Sequence, residues 1–118
     1  MIMISIVDDD ESVRDALENL LKSIGYRAEV FASAEEFLRL GHHEDSRCLI
    51  LDVRMPGLSG LELQRQLVSS GPSIPIVFIT AHGDEAERAQ ALGAGAVAFL
   101  LKPFAEEALL TAVQAALA

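Results

Sequence analysis

Ile4-Ser5-Ile6-Val7-Asp8-Asp9-Asp10 and Cys48-Leu49-Ile50-Leu51-Asp52 share one pattern, an apolar run that stops abruptly at carboxylates. A strand buried in a parallel sheet reads as a nearly continuous hydrophobic run, and it tolerates an ionised carboxylate only where it leaves the core. Two later runs repeat the pattern with other polar groups. Ile76-Val77-Phe78-Ile79 stops at Thr80, and Val97-Ala98-Phe99-Leu100-Leu101 stops at Lys102. If these strands are parallel neighbours, their polar ends meet at one edge of the sheet, where open α/β sheets place their ligand sites. An acidic cluster, a hydroxyl and a lysine at that edge suit a divalent cation and a phosphoryl group.

Between the runs the pattern turns helical. Val13, Leu17, Leu20, Leu21 and Ile24 fall at helical spacing, and Gly25 suits the residue just past that helix. A short second strand is expected around Ala28 to Phe31. Ser33 and Glu36 form a capping-box pair for a helix that carries Phe37 and Leu38 inward. A polar link from Gly41 to Ser46 follows. Pro56-Gly57 and Gly60 mark a loop after Asp52, the segment from Leu61 to Leu67 reads as a third helix, and Gly71-Pro72 and Pro75 break the chain before the fourth strand. Asp84 suits the N-cap of a fourth helix that Gly93-Ala94-Gly95 closes. Leu109, Leu110, Val113 and Leu117 share one face of a fifth. About five β/α units with right-handed crossovers give a parallel sheet covered on both faces.

Composition fits one domain spanning residues 1–118. The chain is 51% hydrophobic, yet it has no apolar run near the roughly 18 residues needed to span a bilayer. Met1-Ile2-Met3-Ile4 lacks the basic flank and length of a secretory signal, so a cytoplasmic location is expected. One cysteine excludes an internal disulfide and a thiolate metal cage, and Cys48 reads as an inert core residue. A net charge of -9 repels nucleic-acid phosphates, which argues against direct DNA or RNA binding.

The acidic run has an ordinary use, because Asp10 can cap the first helix and Glu11 suits its dipole. Capping needs one acid, and four are present. Two carboxylates about 5 Å apart at an effective dielectric near 20 repel by roughly 3 kcal/mol. A site that gathers three of them either holds a cation or raises their pKa values. Hard oxygen ligands suit Mg²⁺. Asp52 beside such an ion is the candidate nucleophile toward phosphorus, unless it only caps the following loop. Lys102 supplies positive charge for a transferred phosphoryl group, and Thr80 can donate its hydroxyl to a phosphoryl oxygen.

These residues resemble a known family. The Asp8-Asp9 pair, the stretch Asp52-Val53-Arg54-Met55-Pro56-Gly57-Leu58-Ser59-Gly60, Thr80-Ala81 and Lys102-Pro103-Phe104 are similar to the receiver domains of two-component response regulators, over essentially the whole chain. The texture of Asp52 to Gly60 and of Ile79 to Asp84 is most like the FixJ-type subfamily. The resemblance implies a flavodoxin-like, doubly wound α/β sheet of five parallel strands in the order 2-1-3-4-5, with five helices. It implies that Asp52 accepts a phosphoryl group from the phosphohistidine of a sensor histidine kinase. It also implies that Asp9, Asp52 and the backbone carbonyl of Arg54 ligate Mg²⁺, with Mn²⁺ as the alternative ion, and that Asp8 acts through a coordinated water. Thr80 and Phe99 match the family's switch pair, which reshapes the surface of the fourth helix, fifth strand and fifth helix. That surface would serve an output domain, a target protein or a phosphorylation-dependent homodimer. By the same resemblance the Lys102-Pro103 bond is cis.

Some residues fit less closely. Phe99 stands where many members have tyrosine, and on its own it reads equally as core. His82 follows Thr80 by two residues and either tunes the phosphoryl lifetime or is a solvated loop residue, while His42 and His43 lack a third ligand in view. FixJ-type receivers normally precede a helix-turn-helix domain, so the chain is read as an excised receiver or as a single-domain regulator. A docking module that is never phosphorylated is a further alternative. A flavodoxin-like electron carrier would need a Ser/Thr/Gly-rich phosphate loop where this chain is acidic. A haloacid-dehalogenase-like phosphatase would need a second aspartate where Arg54 stands.

Overall fold

The computed structural model describes residues 1–41, 44–70 and 73–118, so the expectations on His42, His43, Gly71 and Pro72 lie outside the described residues. Strands and helices alternate in the order β1 (Met3–Val7), α1 (Glu11–Ser23), β2 (Arg27–Phe31), α2 (Ala34–Leu40), β3 (Ser46–Asp52), α3 (Gly60–Ser70), β4 (Ile76–Thr80), α4 (Glu85–Gly93), β5 (Ala98–Leu101) and α5 (Glu106–Leu117). All neighbouring strands are parallel, in the expected order β2-β1-β3-β4-β5.

The apolar runs are continuous because both faces of the central strands are buried. Alternate residues serve opposite layers. Cys48, Ile50, Val77 and Ile79 pack with Leu17 and Leu21 of α1 and with Leu109 and Val113 of α5. Leu49, Leu51, Ile76 and Phe78 pack with Phe37 of α2, Leu63 and Leu67 of α3 and Ala91 of α4. Ser5, the polar member of β1, is buried and shares a hydrogen bond with the Ser46 hydroxyl.

Helix ends follow local chemistry. Asp10, Ser33 and Asp84 cap α1, α2 and α4, each accepting a backbone N–H of the first turn. The return half of the capping box differs from expectation, since Glu36 reaches the Ala32 N–H rather than that of Ser33. At the end of α1, Gly25 takes φ +98°, and the N–H groups of Gly25 and Tyr26 return to the Lys22 and Leu21 carbonyls.

Two helix faces depart from the periodic reading. Ile24 caps α1 and is 47% exposed instead of entering the core. On α5 the small Ala112 and Ala116 are buried, while Leu110 and Leu117 are only half-buried, because alanines let the helix sit close to the sheet. α4 buries a single residue, Ala91. Strand β5 starts at Ala98, one residue later than the apolar run, with Val97 N–H bonded to the Ile76 carbonyl. Among the described residues no helix is long and apolar enough to cross a membrane.

Candidate functional site

Parallel pairing puts the polar strand ends side by side. Val7 pairs with Leu51, so Asp8 and Asp52 follow at the same level, and Asp52 pairs with Ile79 next to Thr80. Backbone bonds extend this alignment past the strands. Asp8 N–H meets the Phe31 carbonyl at 3.1 Å, Val53 N–H meets Ile79 at 3.1 Å, and Lys102 N–H meets Thr80 at 2.7 Å.

The acidic run divides its tasks. Asp10 points outward and caps α1 through the Ser12 N–H at 2.8 Å. Asp8 is fully buried, and its Oδ1 accepts the Asp10 N–H at 2.8 Å. Asp52 is 5% exposed and Asp9 lies in solvent. One carboxylate oxygen from each of Asp8, Asp9 and Asp52 lies within 4.8 Å of the others. Three hard oxygens in so small a volume carry more negative charge than one lysine neutralises, a donor set that fits a hard divalent cation such as Mg²⁺.

Lys102 supplies that one charge, with its Nζ 2.7 Å from Asp8 Oδ2 and 3.7 Å from Asp52 Oδ2. Burial works to lower the pKa of the ammonium. The Asp8 hydrogen bond and the charges of Asp52, Asp8 and Asp10 outweigh it, so the net shift is upward. Asp52 is pushed up to about 7, first by burial and then by the charge of Asp8, with Asp9 adding a smaller push. The Lys102 charge and the Arg54 backbone N–H act in the opposite direction. Like charges in a desolvated corner thus produce the perturbed carboxylate that the sequence reading anticipates.

The remaining residues surround this corner. Thr80 is buried, and its hydroxyl accepts the His82 N–H at 3.2 Å, while the His82 side chain is exposed. Phe99 is neither plain core nor free. It is half-buried on the edge strand, with its ring 6.2 Å from that of Phe78. The Lys102-Pro103 bond is cis. Burial raises the Cys48 thiol to about 12, as an inert core residue requires.

Sequence reasoning assigned Arg54 through its backbone and overlooked its side chain. The guanidinium reaches the start of α4, 3.1 Å from Glu87 and 3.9 Å from Asp84. A basic residue after Asp52 and a doubly acidic first turn in α4 were the available signal.

A five-stranded parallel sheet of order 2-1-3-4-5, carrying three carboxylates and a lysine at its C-terminal edge, has the build of a receiver. Residues 4–114 match the response regulator receiver domain family, and the chain belongs to it. Response regulator protein TodT of Pseudomonas putida is 52% identical over 115 residues, which cover 98% of this chain and 51% of TodT. Transcriptional regulatory protein FixJ of Azorhizobium caulinodans is 41% identical over 114 residues, covering 97% of this chain and 54% of FixJ. The solved structure of response regulator StyR matches with a TM-score of 0.90 at 52% identity, covering 98% of this chain and 58% of that one. The chain therefore spans about half the length of these relatives.

Proposed function

We propose that this domain is cytoplasmic, that Asp52 accepts a phosphoryl group from the phosphohistidine of a sensor histidine kinase, and that the resulting change at α4, β5 and α5 controls transcription through a helix-turn-helix output domain. The observation that carries this reading is the Asp52 carboxyl itself, buried at a strand end with a lysine 3.7 Å away and two further carboxylates beside it. Asp9, Asp52 and the Arg54 carbonyl would hold Mg²⁺ or Mn²⁺, with Asp8 acting through a water. When bound, the cation offsets the repulsion between the carboxylate and the phosphoryl oxygens.

In the transfer, an Asp52 oxygen attacks phosphorus and forms an O–P bond as the N–P bond of the phosphohistidine breaks. The electron pair leaves with the imidazole, and the product is an acyl phosphate. Lys102 pairs with a phosphoryl oxygen, giving up part of its hold on Asp8, and the Thr80 hydroxyl donates to another. The domain thereby catalyses its own modification and its own hydrolytic reset, with no turnover of an external substrate.

Two features support the readout surface. α4 buries only Ala91 and is tied to α3 by the Gln64 side-chain bond to the Ala91 carbonyl, so shifting it disturbs little core. Phe99, half-buried next to Phe78, has room to change its depth when Thr80 moves. The phosphoryl group selects the arrangement in which its contacts are better, which is a population shift. The same face would meet an output domain, a target protein or a second phosphorylated copy.

Intact mass after incubation with acetyl phosphate and Mg²⁺ tests the reading. One added phosphoryl group is expected, absent in Asp52→Asn and in chelator. Addition that persists in Asp52→Asn would overturn it.

A further inference from the structure

The loop between β3 and α3 bears on both ends of the proposed chemistry, since it follows directly on Asp52 and includes Arg54. Its backbone closes partly on itself. Gly60 N–H meets the Val53 carbonyl at 2.9 Å, and Ser59 and Glu62 exchange capping bonds of 2.9 and 3.2 Å. A further tie comes from another element. Glu35, in the first turn of α2, accepts the Leu58 N–H through Oε2 at 3.0 Å. Next to it Gly57 has φ +77°, and a Cβ there would fall on that same carboxylate oxygen. The Leu58 bond is the first cause holding the Glu35 carboxyl below its ordinary range.

We infer that Glu35 is a positioning residue for the Asp52 reaction, an inference that rests on the phospho-acceptor reading above. Anchoring Leu58 restricts the loop whose Arg54 N–H acts to lower the Asp52 pKa and whose Arg54 carbonyl would face the cation. A carboxylate accepting a backbone N–H is a charge-assisted bond, stronger than its neutral counterpart. Without it the loop samples more conformations, and apparent cation affinity falls by the fraction of molecules in the competent one. Direct outer-sphere partners of metal ligands cost about 10–100-fold when removed, so this more distant anchor is worth about three- to tenfold. Glu35 is exposed, and Glu35→Ala removes no core contact.

The test is direct Mg²⁺ binding to the unphosphorylated chain by isothermal titration calorimetry, together with the rate of phosphorylation by acetyl phosphate as a function of Mg²⁺ concentration, in wild type, Glu35→Ala, Glu35→Gln and Gly57→Ala. Glu35→Ala should raise the Mg²⁺ Kd and the half-saturating Mg²⁺ about three- to tenfold and keep the limiting rate within about twofold. Glu35→Gln retains an acceptor oxygen and should recover most of the loss. Gly57→Ala, whose methyl displaces the carboxylate, should behave like Glu35→Ala. Equal half-saturation in wild type and Glu35→Ala, or a lower limiting rate at unchanged half-saturation, overturns the inference and leaves Asp52 as the acceptor. A wild-type chain that takes up no phosphoryl group overturns the phospho-acceptor reading and this inference with it.

Discussion

Lys102 holds Asp8 more closely than Asp52, with its Nζ 2.7 Å from the Asp8 carboxylate and 3.7 Å from that of Asp52. Lys102, itself partly exposed, thus lies closer to the carboxylate that has no access to solvent. Asp52, the group proposed to react, is left only partly compensated. Its elevated pKa comes first from burial and then from the neighbouring Asp8 charge, which Lys102 offsets only in part.

Lys102→Met should unmask the cost of the buried Asp8 charge. Breaking a buried pair by removing one partner costs about 3–5 kcal/mol, and the partial exposure of Lys102 reduces this to about 2–3 kcal/mol. Urea unfolding in chelator measures the loss. Saturating Mg²⁺ should recover part of it, and an unchanged midpoint in chelator would show that Asp8 does not depend on this amine.

Stability without a cation should depend on the protonation of Asp52. Its pKa is about 7 in the folded chain against an ordinary 3.8, so between these values the folded state holds a proton that the unfolded state has released. The Asp52 contribution to stability is then highest below about pH 4, falls as pH rises through this window, and levels off above about 7. Allowing for solvent screening, the loss between about pH 5 and 8 is about 1–2 kcal/mol. The difference between wild type and Asp52→Asn, followed by denaturant unfolding across pH in chelator, isolates it. Mg²⁺ should flatten the difference, and parallel curves without metal would contradict the raised pKa.

Gly83 leaves the space that the Phe99 ring occupies. A Cβ at Gly83 would come within 2.7 Å of Phe99 Cε1 and 2.8 Å of Leu101 Cδ2. Gly83→Ala should therefore displace the ring at a cost of about 1–3 kcal/mol, the usual range for overpacking. The ring resonances of Phe99 should move, while Asp52 still takes up a phosphoryl group. Unshifted resonances would mean that the loop yields instead of the ring.

The readable part of the site was the part written in single strands. A carboxylate, threonine or lysine after an apolar run can only be a strand end, and Asp8, Asp52, Thr80 and Lys102 all lie there. The caps at Asp10, Ser33 and Asp84 were equally local, because each bonds a backbone N–H within three residues. Helix faces were read less well. Hydrophobic spacing favoured Ile24, Leu110 and Leu117, yet close approach to the sheet selected the alanines Ala91, Ala112 and Ala116.

The residues by themselves determined the alternation of strands and helices, the parallel sheet and the identity of the polar groups at its edge, since periodicity and burial act over a few neighbouring positions. Only the tertiary structure decided how those groups share their charge. Lys102 meets Asp8 at a sequence separation of 94, Arg54 meets Glu87 at 33, and Glu35 fastens Leu58 at 23. Each pairing depends on the depth and angle at which whole elements pack, and electrostatic energy changes steeply with separation and burial, so composition and spacing alone do not choose among the partners.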